Sequence, residues 1–308
     1  MRITTANAFD SSLSNLQRRQ QALSQSQEQL TSGKRVNKPS DDPAAAAAAE
    51  RALAAESRSK AQLRALDSSR QSMQLAESAL GDAGELMQQA RELVASAGNG
   101  THTDADRKVI GEALRGLRND LLAVANRSDG TGRYIFGGQG ADGHPLLDSP
   151  GGVAFNAASG QLMGASGAAS PLSMDGQAAW LQAPDAANPG SMLSVFDVMD
   201  RVAGELLTTG RTSAQVASTV RNGLGDIDST AHNLSAWRAR TGETLNRIDG
   251  IGQRLSQTAL DAQRERSDAE DLDMLQAISD FKNKQTGYDA ALKVYSTVQQ
   301  MSLLQYVK

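Results

Sequence analysis

Two adjacent carboxylates, Asp41 and Asp42, are the first residues of this chain whose types could do chemistry. Such a pair can ligate a metal ion or act as an acid–base pair. Pro43 follows them directly, and proline is favoured in the first turn of a helix. Carboxylates at that place satisfy free backbone N–H groups and suit the helix dipole. We therefore predict that the carboxylates cap a helix, with Asp42 or Ser40 as the N-cap residue.

Other chemical candidates fail on their spacing. Gly33-Lys34 could belong to a phosphate-binding loop, but Glu28 stands where that loop needs glycine, and Arg35 replaces its Ser or Thr. The three histidines stand apart, and there is no cysteine, so no zinc-site spacing is present. The sequence predicts no catalytic residue, no cofactor and no metal site.

Composition favours thin helical cores. Hydrophobic residues make up 39% of the 308 residues, and aromatic residues make up only 4%. The net charge is −4 with both signs interspersed, whereas nucleic-acid binding favours a clustered basic face. We expect no nucleic-acid partner and, without an apolar run of about 18 residues, no membrane partner. The N-terminus has no apolar region or cleavage site of a secretory signal, so we expect any export to proceed without a cleaved signal peptide.

Leucines one heptad apart predict a first helix that ends near Gly33, a plausible C′ residue. Gln20 and Gln27 occupy the companion positions of this seam, so the helix would be marginal alone. Pro39 then blocks helix continuation. The apolar residues of the seam are Phe9, Leu13, Leu16, Leu23 and Leu30.

The middle of the chain carries fuller heptads. A helix over 43–97 is predicted by large residues every seventh position with a small residue three positions after each, and it would span roughly 80 Å. Thr103 and Asp106 resemble a capping box that begins a third helix, antiparallel to the second. A short helix starts at Val195, and a further heptad series runs from Val220 to Ala262. The large residues of the second helix are Leu66, Met73, Leu80, Met87 and Val94.

Residues 131–194 have a different texture, rich in Gly, Ala, Ser, Pro and Asp. RYIFGG and VAFNAASGQLMG resemble short strands, and Asp175-Gly176 predicts a turn. Beyond them, a C-terminal seam interrupted by Gln285 and Gln299 steps by three and four residues to near the end. Its apolar residues are Ile278, Phe281, Tyr288, Leu292 and Tyr295, with Leu303 and Leu304 beside its end.

We predict a mainly α fold, an elongated rod of long antiparallel helices formed by both chain ends with a small β-rich insert in the middle of the sequence. Residues 1–40 and 265–308 would be terminal helical assembly arms, 41–130 and 195–264 a helical rod domain, and 131–194 the outer insert. Because the terminal seams are incomplete, we hypothesise that 1–34 and about 270–308 order only when neighbouring subunits supply apolar partners.

Two long motifs resemble the bacterial flagellin family. LTSGKRVNKPSDDPAAAA (30–47) is similar to its N-terminal signature, and the segment from Ala269 to Lys308 is similar to its C-terminal signature. The motifs lie at opposite ends in the correct order. MRITTANAF, GRYIFGG and SLLQYVK are closer to the junction members of the family than to filament flagellins, with Val307 and Lys308 departing slightly from that pattern. The resemblance covers roughly 1–135 and 195–308.

The resemblance implies a non-enzymatic structural subunit of the bacterial flagellum. It would be exported unfolded, with a cytoplasmic export chaperone on its C-terminal helix, and would be extracellular. It would form a ring of copies of itself between another hook-associated protein and the flagellin filament. The assembly contacts would be the apolar residues of both terminal seams, and the family signature turn would comprise Gly33, Pro39, Ser40, Asp41, Asp42 and Pro43. The alternatives are filament flagellin itself, or a cytosolic coiled-coil scaffold.

Overall fold

The computed structural model describes the backbone of residues 2–164 and 170–304, and the side chains of 10–164 and 170–297. Long helices dominate the fold, and the strands form two small antiparallel hairpins. The elements are α1 (Arg2–Ser32), α2 (Pro43–Ala97), α3 (Asp104–Ala125), β1 (Leu146–Ser149), β2 (Gly152–Phe155), α4 (Gly176–Trp180), β3 (Ala183–Pro184), β4 (Met192–Leu193), α5 (Val195–Leu207), α6 (Ser213–Glu270) and α7 (Met274–Leu304).

The helix boundaries follow local chemistry. Pro43 begins α2, and Ala97 ends it, as predicted. Thr103 caps α3 with the predicted capping box, because its side chain accepts from the Asp106 N–H while the Asp106 carboxylate accepts from the Thr103 N–H at 2.8 Å. These residues satisfy backbone donors that have no partner within the helix.

The chain divides into two compact units, one of residues 60–256 and one of residues 1–59 with 257–308. In the first of these, which we call the central unit, α2 and α6 run antiparallel. Arg91 of α2 pairs with Asp228 of α6 at 2.7 Å, and Glu77, earlier in α2, pairs with Arg238, later in α6, at 2.6 Å. All five large heptad residues of α2 are buried. The heptad pattern therefore identified the face that forms the core.

Aromatic side chains join the segment 131–194 to the helices of the central unit. The Trp180 ring of α4 meets Phe136 edge-on at 5.3 Å between centroids and stacks on Phe196 of α5 at 6.0 Å. Arg118 of α3 lies over Phe196 and forms ion pairs with Asp148 of β1 and, at 3.1 Å, with Asp200 of α5. The Asp148 hydrogen bond raises the pKa of Arg118. One buried cation thus ties the first hairpin to two helices.

Two local predictions in this segment were wrong. Tyr134–Phe136 form no strand, because Tyr134 pairs with Ser128 only in an isolated bridge and the chain then turns at Gly137. Asp175 does not close a turn between strands. Its carboxylate caps α4 by accepting from the Ala178 N–H at 3.1 Å, because an Asp-Gly pair suits an N-cap as well as a hairpin turn.

Candidate assembly site

The signature turn after α1 is built on one glycine in a left-handed conformation. Gly33 has φ +72° and its N–H donates to Gln29 at 2.9 Å, which ends α1 as predicted. The Gln29 amide in turn donates to the Arg35 carbonyl at 2.7 Å. The chain therefore leaves α1 sharply and is held against its last turn.

This turn also pairs with the connection between α6 and α7. The Arg35 N–H donates to the Glu270 carbonyl at 2.7 Å, and the Leu272 N–H donates to the Gly33 carbonyl at 3.0 Å. Lys34 forms an ion pair with Glu270 at 3.1 Å. The Arg35 guanidinium donates to the Ala269 carbonyl at 2.8 Å. Two segments more than 230 residues apart in sequence are thus locked together by backbone hydrogen bonds.

The two carboxylates of the turn have different roles. Asp42 is the N-cap of α2, accepting from the Ala45 N–H at 3.0 Å and pairing with Arg35 at 3.1 Å. The Ala45 hydrogen bond, followed by that of Arg35, lowers the pKa of Asp42. Asp41 does not cap the helix, because its carboxylate accepts from the N–H groups of Asn37 and Lys38 inside the turn. Ser40 is an exposed residue of the turn. Of the two carboxylates predicted to cap the helix, Asp42 does so, and Asp41 instead stabilises the turn.

The turn also contributes to a cavity of about 410 Å³. Both prolines of the signature, Pro39 and Pro43, lie in its wall beside the buried Val36. Lys34 and Glu270 form part of its polar lining. The signature residues thus fix a turn and shape a concave surface next to it.

The terminal helices α1 and α7 pack against each other, but their interface holds few buried apolar groups. Among the described side chains of α7 none is buried, and in α1 only Ser26 is buried. The predicted seam residues divide accordingly. Leu16, Leu23, Leu30, Phe281, Tyr288 and Tyr295 are half-buried, whereas Leu13, Ile278 and Leu292 are exposed. Phe9, Leu303 and Leu304 lie outside the described side chains.

The glutamines predicted at core positions of the seams are not buried where their side chains are described, and Gln299 lies outside the described side chains. Gln20, Gln27 and Gln285 are exposed. The polar contact in the interface is made instead by the Lys284 ammonium, which donates to the Ser26 hydroxyl at 2.6 Å. A 3.5-residue period drifts against the 3.6-residue turn of a straight helix, so neighbouring positions come to face the partner. The sequence reasoning also missed Met274, Leu275 and Val294 of α7, which are exposed. The sequence signal that could have found them is the presence of apolar residues at positions outside the predicted seam.

Two family models match this chain, the bacterial flagellin N-terminal helical region over residues 3–141 and the bacterial flagellin C-terminal helical region over residues 224–307. Together they span well over half of the chain, in the order expected. The chain belongs to the bacterial flagellin family. It is a structural protein of the flagellum.

Two relatives that this flagellin-family chain matches over essentially their full length are both named flagellar hook-associated protein 3. It is 28% identical to flagellar hook-associated protein 3 of Salmonella typhimurium, with 99% of each chain covered. It is 29% identical to flagellar hook-associated protein 3 of Escherichia coli, with 100% of each covered. Flagellins also match, over smaller shares of their own length.

Among solved structures, the flagellar junction protein FlgL of Legionella pneumophila has the same fold. The TM-score is 0.54 at 16% identity, covering 60% of this chain and 93% of that chain. Within the described residues, no helix is long and apolar enough to cross a membrane. Over the same residues, no group of three or more His, Cys, Asp or Glu side chains is placed to hold a metal ion.

Proposed function

We propose that this chain is the subunit that joins the hook side of the flagellum to the flagellin filament. The observation that carries the proposal is the match to two proteins named flagellar hook-associated protein 3 over essentially the whole of each chain. The flagellins match over a smaller share of their length. Its neighbours would be another hook-associated protein, flagellin and copies of itself in a ring. The role would be non-enzymatic, as its relatives are structural proteins.

The packing of the terminal helices supports an assembly role. Over the part of α1 and α7 whose side chains are described, the pair buries no apolar side chain, so it gains little there from the hydrophobic effect, which supplies most of the stability of packed helices. Apolar side chains left on α7 gain burial only when another chain covers them. Subunit association would therefore supply stability that the pair lacks alone, so the pair would order fully only in the assembled flagellum. A monomer of this kind can stay unpolymerised before export and assemble outside the cell.

Export would precede assembly and would leave the chain in the extracellular part of the flagellum. The exposed apolar face of α7 would be held by a cytoplasmic export chaperone until then, since contiguous exposed apolar residues mark interaction sites and aggregation risks. Weak amide-exchange protection in α1 of the purified monomer is the expected result. Strong protection from Leu16 to Leu30 would contradict terminal ordering on assembly.

Deletion of the gene tests the junction role. We expect bare hooks, with flagellin shed as monomer into the medium, and restoration of filaments by the gene supplied in trans. Loss of flagellin itself, with the hook-associated layers intact, would make this chain the filament subunit. Normal filaments in the deletion strain would instead favour a cytosolic scaffold.

A further inference from the structure

Asparagine followed by glycine occurs twice in the sequence, as Asn99-Gly100 and as Asn222-Gly223. In such a pair the backbone nitrogen of the second residue can attack the side-chain amide carbon of the first, because glycine has no Cβ to obstruct the approach. Both asparagines are exposed, and both lie in the central unit. The two pairs therefore share their chemistry and their access to water, and differ in the backbone that holds them.

Asn99 lies in the turn between α2 and α3. The Thr101 N–H donates to the Asn99 side-chain oxygen at 3.2 Å, which closes a ring like that of a β-turn and folds the amide carbon back toward the Gly100 nitrogen. The same hydrogen bond withdraws electron density from that carbon and makes it a better electrophile. On either side, the Asn99 N–H donates to the Ser96 carbonyl at 3.0 Å, and the Asn99 carbonyl accepts from the His102 N–H at 3.1 Å. These backbone hydrogen bonds keep the turn in place.

The nucleophile of the pair, the Gly100 nitrogen, is not held in the same way. Among the residues that the structure describes, none accepts a hydrogen bond from the Gly100 N–H. No atom lies within 4 Å of the place where a Gly100 side chain would begin. The nitrogen can therefore lose its proton and approach the Asn99 side chain without breaking a hydrogen bond of its own and without displacing a neighbour.

The second pair lies inside α6 and is constrained there. The Gly223 N–H is part of the helical hydrogen-bond ladder, and helical dihedral angles keep this nitrogen away from the side-chain carbon of the preceding residue. Gly223 is also buried, and a Cβ at this position would lie only 2.8 Å from Val202. Attack on the Asn222 side chain would therefore require local unfolding of α6.

We propose that Asn99 is a site of spontaneous covalent modification in the folded protein and that Asn222 is protected. The Gly100 nitrogen loses its proton to hydroxide and forms a bond to the Asn99 side-chain carbon. The bond from that carbon to the amide nitrogen breaks, and this nitrogen takes up a proton and leaves as ammonia. Water then opens the resulting cyclic imide at either carbonyl, which gives aspartate or isoaspartate. Each event places a negative charge just beyond the end of α2, where the helix dipole is already negative.

Peptide mapping of the full chain tests this proposal. The protein is incubated folded in mildly alkaline buffer, and a parallel sample is incubated in denaturing urea. Trypsin then releases 92–107 and 222–238, each with one Asn-Gly pair, and mass spectrometry follows the conversion of each amide to the acid. In the folded sample we expect Asn99 to convert at least about tenfold faster than the helical asparagine, and in urea we expect comparable rates. Equal rates in the folded protein, or conversion of Asn99 only after denaturation, would overturn the proposal.

The products and one substitution test the chemical route. Opening of the imide gives isoaspartate as well as aspartate, whereas direct hydrolysis of the amide gives aspartate alone. Gly100→Ala places its methyl group in open space, so we expect an unchanged fold, but the methyl group should slow the conversion of Asn99 about tenfold by hindering the attack. Gly116→Ala on α3, where a methyl group also meets nothing within 4 Å, is the matched control and should leave the rate unchanged. Aspartate as the sole product, or an unchanged rate in Gly100→Ala, would overturn the proposal.

Discussion

Leu80→Ala measures how much of the stability of this protein lies in the central unit. Leu80 is 1% exposed and belongs to the α2 heptad face that packs in the core. The substitution deletes three carbon atoms, worth about 2.4 kcal/mol of lost transfer free energy at about 0.8 kcal/mol each. Surrounding helices relax only partly, so a residual cavity adds to the cost. We expect the free energy of unfolding to fall by about 3 kcal/mol.

Tryptophan fluorescence during urea unfolding reads this change selectively. The chain has two tryptophans, Trp180 and Trp237, and both lie in the central unit. Trp180 is fully buried, so its emission should shift to the red when that unit unfolds. With a denaturant slope of about 2.5 kcal/mol per molar urea, a loss of about 3 kcal/mol lowers the midpoint by about 1.2 M.

Leu75→Ala is the matched control on the same helix. Leu75 is 38% exposed, so truncation leaves no closed cavity, and we expect a loss of about 1 kcal/mol or less. Equal midpoints for the two variants would refute the assignment of the core face. So would a loss below about 1 kcal/mol for Leu80→Ala.

Three further predictions follow from close contacts in the central unit. Gly223→Ala should lower the urea midpoint, because the new methyl group would lie 2.8 Å from a buried valine of α5. The control Gly225→Ala on the same helix meets nothing within 4 Å and should raise the free energy of unfolding by up to about 1 kcal/mol. Equal midpoint shifts for the two variants would contradict this reasoning. Arg118→Met should lower the free energy of unfolding by about 1–3 kcal/mol, a modest loss because Asp148 is half-exposed and is hydrated again when the arginine is removed. The same substitution should speed proteolysis within 131–194. An unchanged cleavage rate would refute the anchoring role of Arg118. Side-chain hydrogen bonds, the largest from Asn188, lower the pKa of Asp185 from 3.8 to about 2. The contribution of Asp185 to folding stability is therefore present above pH 4 and is lost as the pH falls through about 2. An NMR titration midpoint near 3.8 would show that these hydrogen bonds are absent.

Sequence patterns were sufficient for the long helices because each pattern records burial directly. The heptads of α2 and α6 predicted faces that are buried in the structure, and Thr103 and Asp106 form the predicted capping box. Such signals are local, since side chains seven residues apart share a face regardless of the partner. Helix boundaries at Pro43 and Ala97 were predictable for the same reason.

Weak local signals failed where tertiary contacts choose between conformations. Asp175-Gly176 suits a turn or a helix start, and the packing of Trp180 against Phe136 and Phe196 accompanies the helix. The insert has few apolar residues in any periodic order, so its sequence carries little information on strand positions. Arg118 could not be recognised as a link between three elements, because its partners are 30 and 82 residues away in the chain.

The sequence by itself determined the mainly α class, the bounds of α2 and the membership of the flagellin family. These properties depend on the spacing of apolar residues and on sequence motifs, both of which are contained within one continuous stretch of the chain. Only the tertiary structure decided that the turn at Gly33 is hydrogen-bonded to the connection before α7. It also decided that Lys284 and Ser26 meet between the terminal helices while Gln20, Gln27 and Gln285 are exposed, and that Leu275 remains exposed. Those outcomes depend on the rotation of one helix against another, which is set by the packing of two distant segments and by no pattern within either.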